Sequence, residues 1–309
     1  MVHSQKLILT KKAKAYIRLS RWSEHLPFVV PLTLIGVLVG AAGEHSLDAK
    51  VILAVLANIL TVSYAFMINE VEDAPDDARD KNRAHKNPIA NKSITQEEAY
   101  TALRALASVS IIIYTLVNPL VFGLGITTLL LSHLYSWRKV RLKSMPVLDV
   151  VSHSLMLAGL LVLSGYAVYG QNLRAVWLIA AASTLFSVYG QLYNQLRDLE
   201  YDKLAGLKNT TISLGEHKAK ILMNSSIILA IIALLTSVYF GNIPLWIIVP
   251  GIVSVPFLSS FQTGNDSRGT AVVHVSGKFQ IQAMLVMNVA VIAWLVATYA
   301  SQKGILPLW

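Results

Sequence analysis

The chain has 309 residues, of which 54% are hydrophobic and only 14% charged, with a mean hydropathy of +0.55. A soluble domain carries about 25% charged residues, so this sequence lacks the polar surface to cover a water-soluble globule and reads as an all-α polytopic membrane protein. The formal net charge is +9, and the lack of cysteine excludes disulfides, thiolate metal sites and cysteine nucleophiles.

The first segment, Met1 to Ser20, is basic but has no short apolar core with a cleavage site, so it does not read as a signal peptide. Lys11, Lys12, Lys14 and Arg18 point instead to an interfacial amphipathic segment ahead of the first span. Apolar runs of about 20 residues can cross the hydrocarbon core as helices. Nine are predicted: 25–43, 50–72, 97–117, 119–137, 147–169, 174–197, 218–240, 243–261 and 279–300. Long alternating strands are missing from the sequence.

Basic residues set the orientation. With the N-terminus in the cytoplasm, the N-terminal arm and the 73–96, 138–146, 197–220 and 262–278 segments lie on that side. They hold all but four of the 26 Lys and Arg residues; Lys50, Arg174 and Lys303 lie opposite, and Arg104 within a span. This follows the positive-inside rule and predicts a multi-pass cell-membrane protein. No nucleic-acid partner is expected.

One acidic stretch stands out. Asn69 to Asp80 holds six of the 17 carboxylates, directly after the apolar run Val51 to Ile68. Within it Asn69, Asp73 and Asp77 are spaced four apart, and Asn194, Asp198 and Asp202 repeat that spacing after the sixth span. The constant offset points to a single domain over 1–309 with an internal repeat, roughly 20–140 and 145–300. Steps of four keep side chains on nearly one helix face, so each trio is a candidate oxygen ligand set. Such sets suit Mg2+, which takes one or two carboxylates plus waters and substrate phosphate oxygens. Two opposed trios could hold metal ions with a diphosphate between them, and the metals would neutralise the leaving group as a carbon–oxygen bond breaks. Arg79, Lys81, Arg83, Lys86, Lys139, Arg141, Lys143 and Lys208 are nearby cations that could add charge stabilisation.

A plain solvated acidic cluster is the competing interpretation. Against it, carboxylates at a helix C-terminus meet the negative end of the macrodipole and are unfavourable without bound cations. Pro75 complicates the first copy, because it lacks the N–H that would bond Val71. The second helix should kink or end before Pro75, leaving Asp76 and Asp80 as alternatives to Asp77. The second copy should then be a regular ligand face and the first a bent one.

These residues resemble the UbiA superfamily of intramembrane prenyltransferases. Asn69, Asp73 and Asp77 are similar to its first motif; Asp198, Asp202, Gly206, Lys208 and Thr210 follow the order of its second. Lys86-Asn87-Pro88-Ile89 resembles an Arg-Pro-Leu turn with asparagine in place of arginine. Tyr135 to Lys143 resembles the tyrosine-and-lysine segment after the fourth helix, and Arg21 the arginine before the first. The resemblance implies a nine-helix bundle with a lateral cavity and a small cytoplasmic cap from the 73–96 and 197–217 segments. It implies an enzyme that uses Mg2+ to ionise an isoprenyl diphosphate, such as geranyl or geranylgeranyl diphosphate, toward an allylic carbocation. A lipophilic acceptor is then alkylated in the membrane and pyrophosphate released. On this basis Asn69, Asp73, Asp198 and Asp202 are the expected catalytic residues, with Asp77 as a further metal ligand. Arg21, Arg79, Arg83, Lys86, Tyr135, Lys139, Lys143, Asn194 and Lys208 are the expected substrate-binding residues.

Other residues are weaker candidates. His153 could act as an acceptor-side base, although an interior hydrogen-bonded histidine is the plainer interpretation, and Asp149 one turn back could line the cavity with it. Gly206 need only permit a turn. The acceptor is either an isoprenyl glyceryl phosphate lipid or an aromatic quinone precursor, with the basic 138–143 cluster favouring the phosphate-bearing lipid. A secondary transporter with carboxylate cation sites is the alternative from another class. Its sites would lie near the bilayer midplane, whereas these carboxylates lie at the membrane edge.

Overall fold

A computed structural model describes residues 2–42, 47–79, 81–204, 206–259 and 275–305. Among the described residues every regular element is helical. The long helices are α1 (Val2–Ser20), α2 (Trp22–Gly40), α3 (Ala49–Asp77), α4 (Gln96–Val117) and α5 (Pro119–Ser136). They continue as α6 (Leu148–Tyr166), α7 (Trp177–Arg197), α8 (Glu216–Tyr239), α9 (Ile248–Ser259) and α10 (Val275–Gln302).

Each of the nine predicted spans falls on one of these helices. Seven are long and apolar enough to cross a membrane: α2, α3, α4, α5, α6, α8 and α10. The exceptions are α7, whose last turns carry Gln191, Asn194, Gln195 and Arg197, and α9, which has 12 residues. Residues 262–274 of the expected 262–278 loop, and 260–261 of the expected 243–261 span, lie outside the described residues, and 275–278 already belong to α10.

Local chemistry sets the helix ends. Asp48 caps α3, accepting from Lys50 N–H at 2.9 Å. Thr95 and Glu98 form a reciprocal capping box at the start of α4, satisfying two backbone donors that would otherwise lack partners. Asn118 caps α5 ahead of Pro119, a residue suited to a first turn because its missing N–H would be unpaired there anyway.

The bundle packs in two groups joined by α6. Helix α3 lies against α2, α4 and α5, α7 packs along α8, and α6 touches α2, α5 and α7. Helices α2 and α6 approach at their backbones. A Cβ on Gly36 would fall 2.1 Å from the Val162 carbonyl oxygen, and one on Gly165 2.1 Å from that of Thr33. Small residues allow this closeness in a lipid setting, where dispersion and interhelical hydrogen bonds hold helices together. Buried Asn58 supplies such bonds, donating to Thr33 Oγ1 at 2.8 Å and Ser164 Oγ at 2.9 Å. The Tyr114 hydroxyl donates to Asn58 Oδ1 at 2.8 Å. Exposed leucine, isoleucine and valine side chains cover the outer faces of α4, α8 and α9, as on helices that face lipid tails.

The helix does not end before Pro75. Helix α3 runs through it and ends at Asp77, two residues later. A proline forfeits the bond to the residue four back, but so close to the helix end little further ladder is lost. Side chains also bond carbonyls in that turn: Asn87 Nδ2 donates to Glu70 O at 2.8 Å, and Arg138 Nε to Glu72 O at 2.7 Å.

Candidate active site

Asn69 and Asp73 lie one turn apart on the last stretch of α3. After α5 the chain reverses through Trp137–Arg141, with Arg141 in a left-handed conformation at φ 50°. The short turn Leu142–Ser144 follows and places Lys143 against the acidic helix. The Lys143 ammonium donates to Asn69 Oδ1 at 2.9 Å and to both Asp73 carboxylate oxygens at 2.6 Å. Ser136 Oγ donates to Asn69 Oδ1 at 3.3 Å. A cation is thus gripped by three oxygens from two side chains one helical turn apart.

More positive charge surrounds this grip. Arg141 reaches Asp73 Oδ1 at 3.5 Å and Asp76 Oδ2 at 3.4 Å. Arg138 bonds Asp76 at 2.8 Å, and its backbone N–H donates to Glu72 Oε2 at 3.1 Å. Asp77 turns toward the following loop and accepts from Asn87 Nδ2 at 2.9 Å. Asn87 is buried, and its carbonyl oxygen also accepts from Ile89 N–H, so one amide joins the loop to the acidic helix. Asp80 lies outside the described residues.

The second copy is built differently. Helix α7 ends at Arg197, Asp198 caps it at φ −93° and ψ 8°, and a new helix spans Leu199–Leu204. The regular ligand face expected here is therefore interrupted at its central aspartate, and the continuous helix belongs to the first copy instead. The four-residue succession survives, because Asp198 N–H bonds Asn194 O at 3.0 Å and Asp202 N–H bonds Asp198 O at 2.9 Å. Arg197 holds Asp198 through two bonds of 3.0 Å, and Asn209 Nδ2 donates to Asp202 Oδ2 at 2.7 Å. Burial pushes the Asp202 carboxyl up to about 6, reinforced by the Asp198 charge and opposed by Arg83, Asn209 and Lys143. Gly206 takes φ 69°, the left-handed turn that a glycine permits.

The two copies share surroundings. The Lys143 and Arg83 charges both act on Asp77 and on Asp202, and the Tyr135 hydroxyl lies within the electrostatic reach of Asp73 and Asp202. Arg83 also lies 5.5 Å over the Tyr201 ring, joining the loop after the first copy to the helix of the second. Among the described residues no three His, Asp or Glu side chains gather closely enough to hold a metal ion by themselves. The carboxylates form an open, hard-oxygen donor set, whose chemistry fits Mg2+ completed by waters and substrate phosphate.

Other predicted residues stand apart from the carboxylate cluster. Arg21 bonds Glu24 at 2.6 Å and Glu70 at 2.9 Å and lies over Phe66, so it touches the acidic stretch through Glu70. Lys139 is exposed with its ammonium 5.5 Å from the Trp137 ring centre. Arg79, Lys86 and Lys208 are exposed. Tyr135 accepts a hydrogen bond from Gln191 Nε2 at 3.1 Å, with the His153 ring 5.8 Å away. His153 Nδ1 is buried and makes no hydrogen bond, and a π-helical turn, Leu155–Gly159, follows it. Asp149 does not line a cavity with His153; it is fully buried and bonded to Thr210 and Gln195. Of the 138–143 cluster expected to favour a phosphate-bearing acceptor, Arg138, Arg141 and Lys143 pair with the first acidic copy, while Lys139 is exposed beside Trp137. The contacts of Arg138, Asn87 and Asn209 have no local sequence signal, since each closes a turn or joins segments through tertiary packing.

Comparison with known proteins bears on the family and the fold. The UbiA prenyltransferase family model matches residues 29–272. The chain belongs to the UbiA prenyltransferase family. It is 30% identical to the digeranylgeranylglyceryl phosphate synthase of Methanopyrus kandleri over 205 residues, covering 66% of this chain and 70% of that protein. It is 26% identical to the 4-hydroxybenzoate octaprenyltransferase of Vibrio parahaemolyticus over 209 residues, 67% of this chain and 72% of the relative. The fold matches a UbiA homologue from Archaeoglobus fulgidus bound to GPP and Mg2+, with TM-score 0.71 and 21% identity over 93% of this chain and 99% of the other. It also matches an apo UbiA homologue from Aeropyrum pernix, with TM-score 0.70 and 18% identity over 88% and 98%. This UbiA chain is an enzyme, a prenyltransferase with several membrane-spanning helices, and the transporter alternative falls away.

Proposed function

We propose that this UbiA protein transfers an isoprenyl group from a prenyl diphosphate, such as geranyl or geranylgeranyl diphosphate, to a lipophilic acceptor within the membrane. Asn69, Asp73 and Asp77 from α3, with Asp198 and Asp202, hold Mg2+. When bound, the metal supplies positive charge against the diphosphate as the allylic carbon–oxygen bond breaks. The protein's own groups do the rest. Lys143, Arg141 and Arg83 stand among the two acidic copies and supply N–H donors and charge toward the diphosphate oxygens. Tyr135, oriented by Gln191, brings an aromatic ring to the membrane side of the carboxylates, where cation–π contact favours positive charge on the allylic carbon. Pyrophosphate leaves with the electron pair of the broken bond, the acceptor bonds to that carbon, and the acceptor's proton is lost.

The observation that carries this proposal is the Lys143 ammonium among the Asn69 and Asp73 oxygens, at 2.6 to 2.9 Å. A cation is already favoured there, and the same cation acts on the second copy's Asp202. In this reading α7 and α9 join the seven long apolar helices in a nine-helix bundle around a cavity open sideways to lipid. The loops on either side of the Arg83–Tyr201 contact form a small cap. The positive-inside distribution puts that cap, the N-terminus and the site on the cytoplasmic face of the cell membrane. The whole chain is one domain whose halves, roughly 20–140 and 145–300, each supply one acidic copy.

The acceptor is an isoprenyl glyceryl phosphate lipid or an aromatic quinone precursor, the classes named by the relatives from Methanopyrus and Vibrio. Membranes containing the protein, incubated with labelled geranylgeranyl diphosphate and Mg2+, should yield a labelled, heavier lipid product identifiable by mass. A product mass carrying a phosphoglyceryl group or an aromatic ring assigns the acceptor. No labelled product from membranes containing either acceptor would contradict the transferase proposal for these substrates.

A further inference from the structure

A fully buried carboxylate in a membrane bundle is costly, and an apolar replacement of similar volume is often as stable. Asp149 is such a group, and the structure satisfies it with four donors. Thr210 N–H donates to Oδ2 at 2.7 Å, as does Gln195 Nε2 at 2.7 Å; Val150 N–H donates to Oδ1 at 2.8 Å, and the Thr210 hydroxyl also donates to Oδ1. The partners come from the start of α6, the last turn of α7 and the loop that follows the second acidic copy.

Each partner leads to the site. The Thr210 hydroxyl accepts from Val147 N–H at 2.7 Å. Val147 sits at φ 72°, a left-handed conformation rare for a β-branched residue and held only when the surroundings fix it. Val147 lies four residues after Lys143, so this bond anchors the turn that delivers the Lys143 ammonium to Asn69 and Asp73. On the other side of Thr210, Asn209 donates to Asp202 at 2.7 Å. Gln195 lies three residues before Asp198, and its carbonyl oxygen accepts from Thr211 N–H at 3.1 Å. One carboxylate therefore ties the Lys143 turn of the first copy to both aspartates of the second.

We propose that Asp149, acting through the Thr210 hydroxyl, is a positioning residue that holds the Lys143 turn and the Asp198–Asp202 segment in register for a shared cation. The inference rests on the metal-and-diphosphate function proposed above. Asp149 does not touch substrate. Its role is to fix the distance between two half-sites that are far apart in sequence and joined by no covalent constraint.

The test uses full-length protein in detergent, without prenyl diphosphate. Mn2+, which shares the octahedral oxygen preference of Mg2+, is titrated and the free ion followed by electron paramagnetic resonance. Thermal unfolding of the metal-free protein is measured beside it, and binding is read well below the unfolding temperature of every variant. Thr210→Val keeps the side chain's shape but removes the hydroxyl; Asp149→Asn keeps the shape but turns an amide toward donors. Both should weaken Mn2+ binding about tenfold or more, the usual effect of losing a group that orients ligands. Thr210→Ser, which restores the hydroxyl, should bind as wild type. Wild-type affinity in Thr210→Val and Asp149→Asn overturns the positioning role, as does equal loss in Thr210→Ser. Asp198→Ala separates the two claims. Loss of Mn2+ there with wild-type binding in Thr210→Val leaves the metal site standing and removes only the inference; wild-type binding in Asp198→Ala overturns the metal site and the inference with it.

Discussion

The two acidic copies share a spacing and little else. The first lies on a continuous helix, with Asp73 paired to Lys143 and Arg141, Asp76 to Arg138 and Arg141, and Asp77 hydrogen-bonded by the neutral Asn87 amide. The second breaks at Asp198, which Arg197 pairs, and its half-buried Asp202 has an amide partner and a pKa raised to about 6. The first copy thus holds a lysine across two of its members, Asn69 and Asp73, while in the second the arginine pairs Asp198 and a neutral amide bonds Asp202. In a two-sided metal site this asymmetry divides the work. Under the function proposed above, a divalent ion would compensate Asp202, and Lys143 and Arg141 would exchange carboxylate partners for diphosphate oxygens.

That division can be broken from either side. Lys143→Met strips the first copy of its lysine and makes it resemble the second. Activity should fall about 100-fold, the scale of losing one charge-stabilising donor at a reacting centre. The unfolding temperature of the variant should also rise more on adding Mg2+ than that of wild type, because Asp73 is left with only the 3.5 Å contact to Arg141. Unchanged pyrophosphate release in Lys143→Met would remove the role given to that lysine. Asn87→Ala frees Asp77 and unhooks the following loop; a rate loss of about tenfold, with a higher Mg2+ concentration at half-maximal rate, is expected from a lost ligand-orienting group.

Smaller effects should follow away from the shared centre. Arg138→Met leaves Asp76 with Arg141 alone and removes a donor from the Glu72 carbonyl. It should lower stability by about 1 to 3 kcal/mol, the cost of unsatisfied polar groups, with a lesser effect on rate; thermal unfolding checks this. Lys139→Ala should change stability by no more than about 0.5 kcal/mol, as exposed substitutions usually do. A rate that falls as far as in Lys143→Met would return Lys139 to the site.

Much of the fold was legible because lipid imposes a strong pattern. Runs such as Val51 to Ile68 have to be helices, and the spacing of Asn69, Asp73 and Asp77 follows from helical geometry. The sequence misled at the two helix ends. Pro75 carries a local penalty that a helix tolerates two residues from its end, with Asn87 and Arg138 bonding carbonyls of that turn. The break at Asp198 has no breaker residue, for neither Arg197 nor Leu199 forbids a helix. Tertiary bonds, among them Gln195 to Asp149 and Asn209 to Asp202, accompany it. Such contacts link residues far apart in sequence, and no spacing rule announces them. Lys143 was legible as a nearby cation; its insertion between Asn69 and Asp73 was not.

The most direct test of a site shared by both copies is the release of pyrophosphate from an allylic prenyl diphosphate by purified wild type, Asp73→Ala, Asp198→Ala and Asp202→Ala, with and without Mg2+. Wild type should release pyrophosphate only with the metal, and each variant should fall to background although Asp73 and the other two lie in different halves of the chain. Retained Mg2+-dependent release in all three variants would contradict the metal-site assignment.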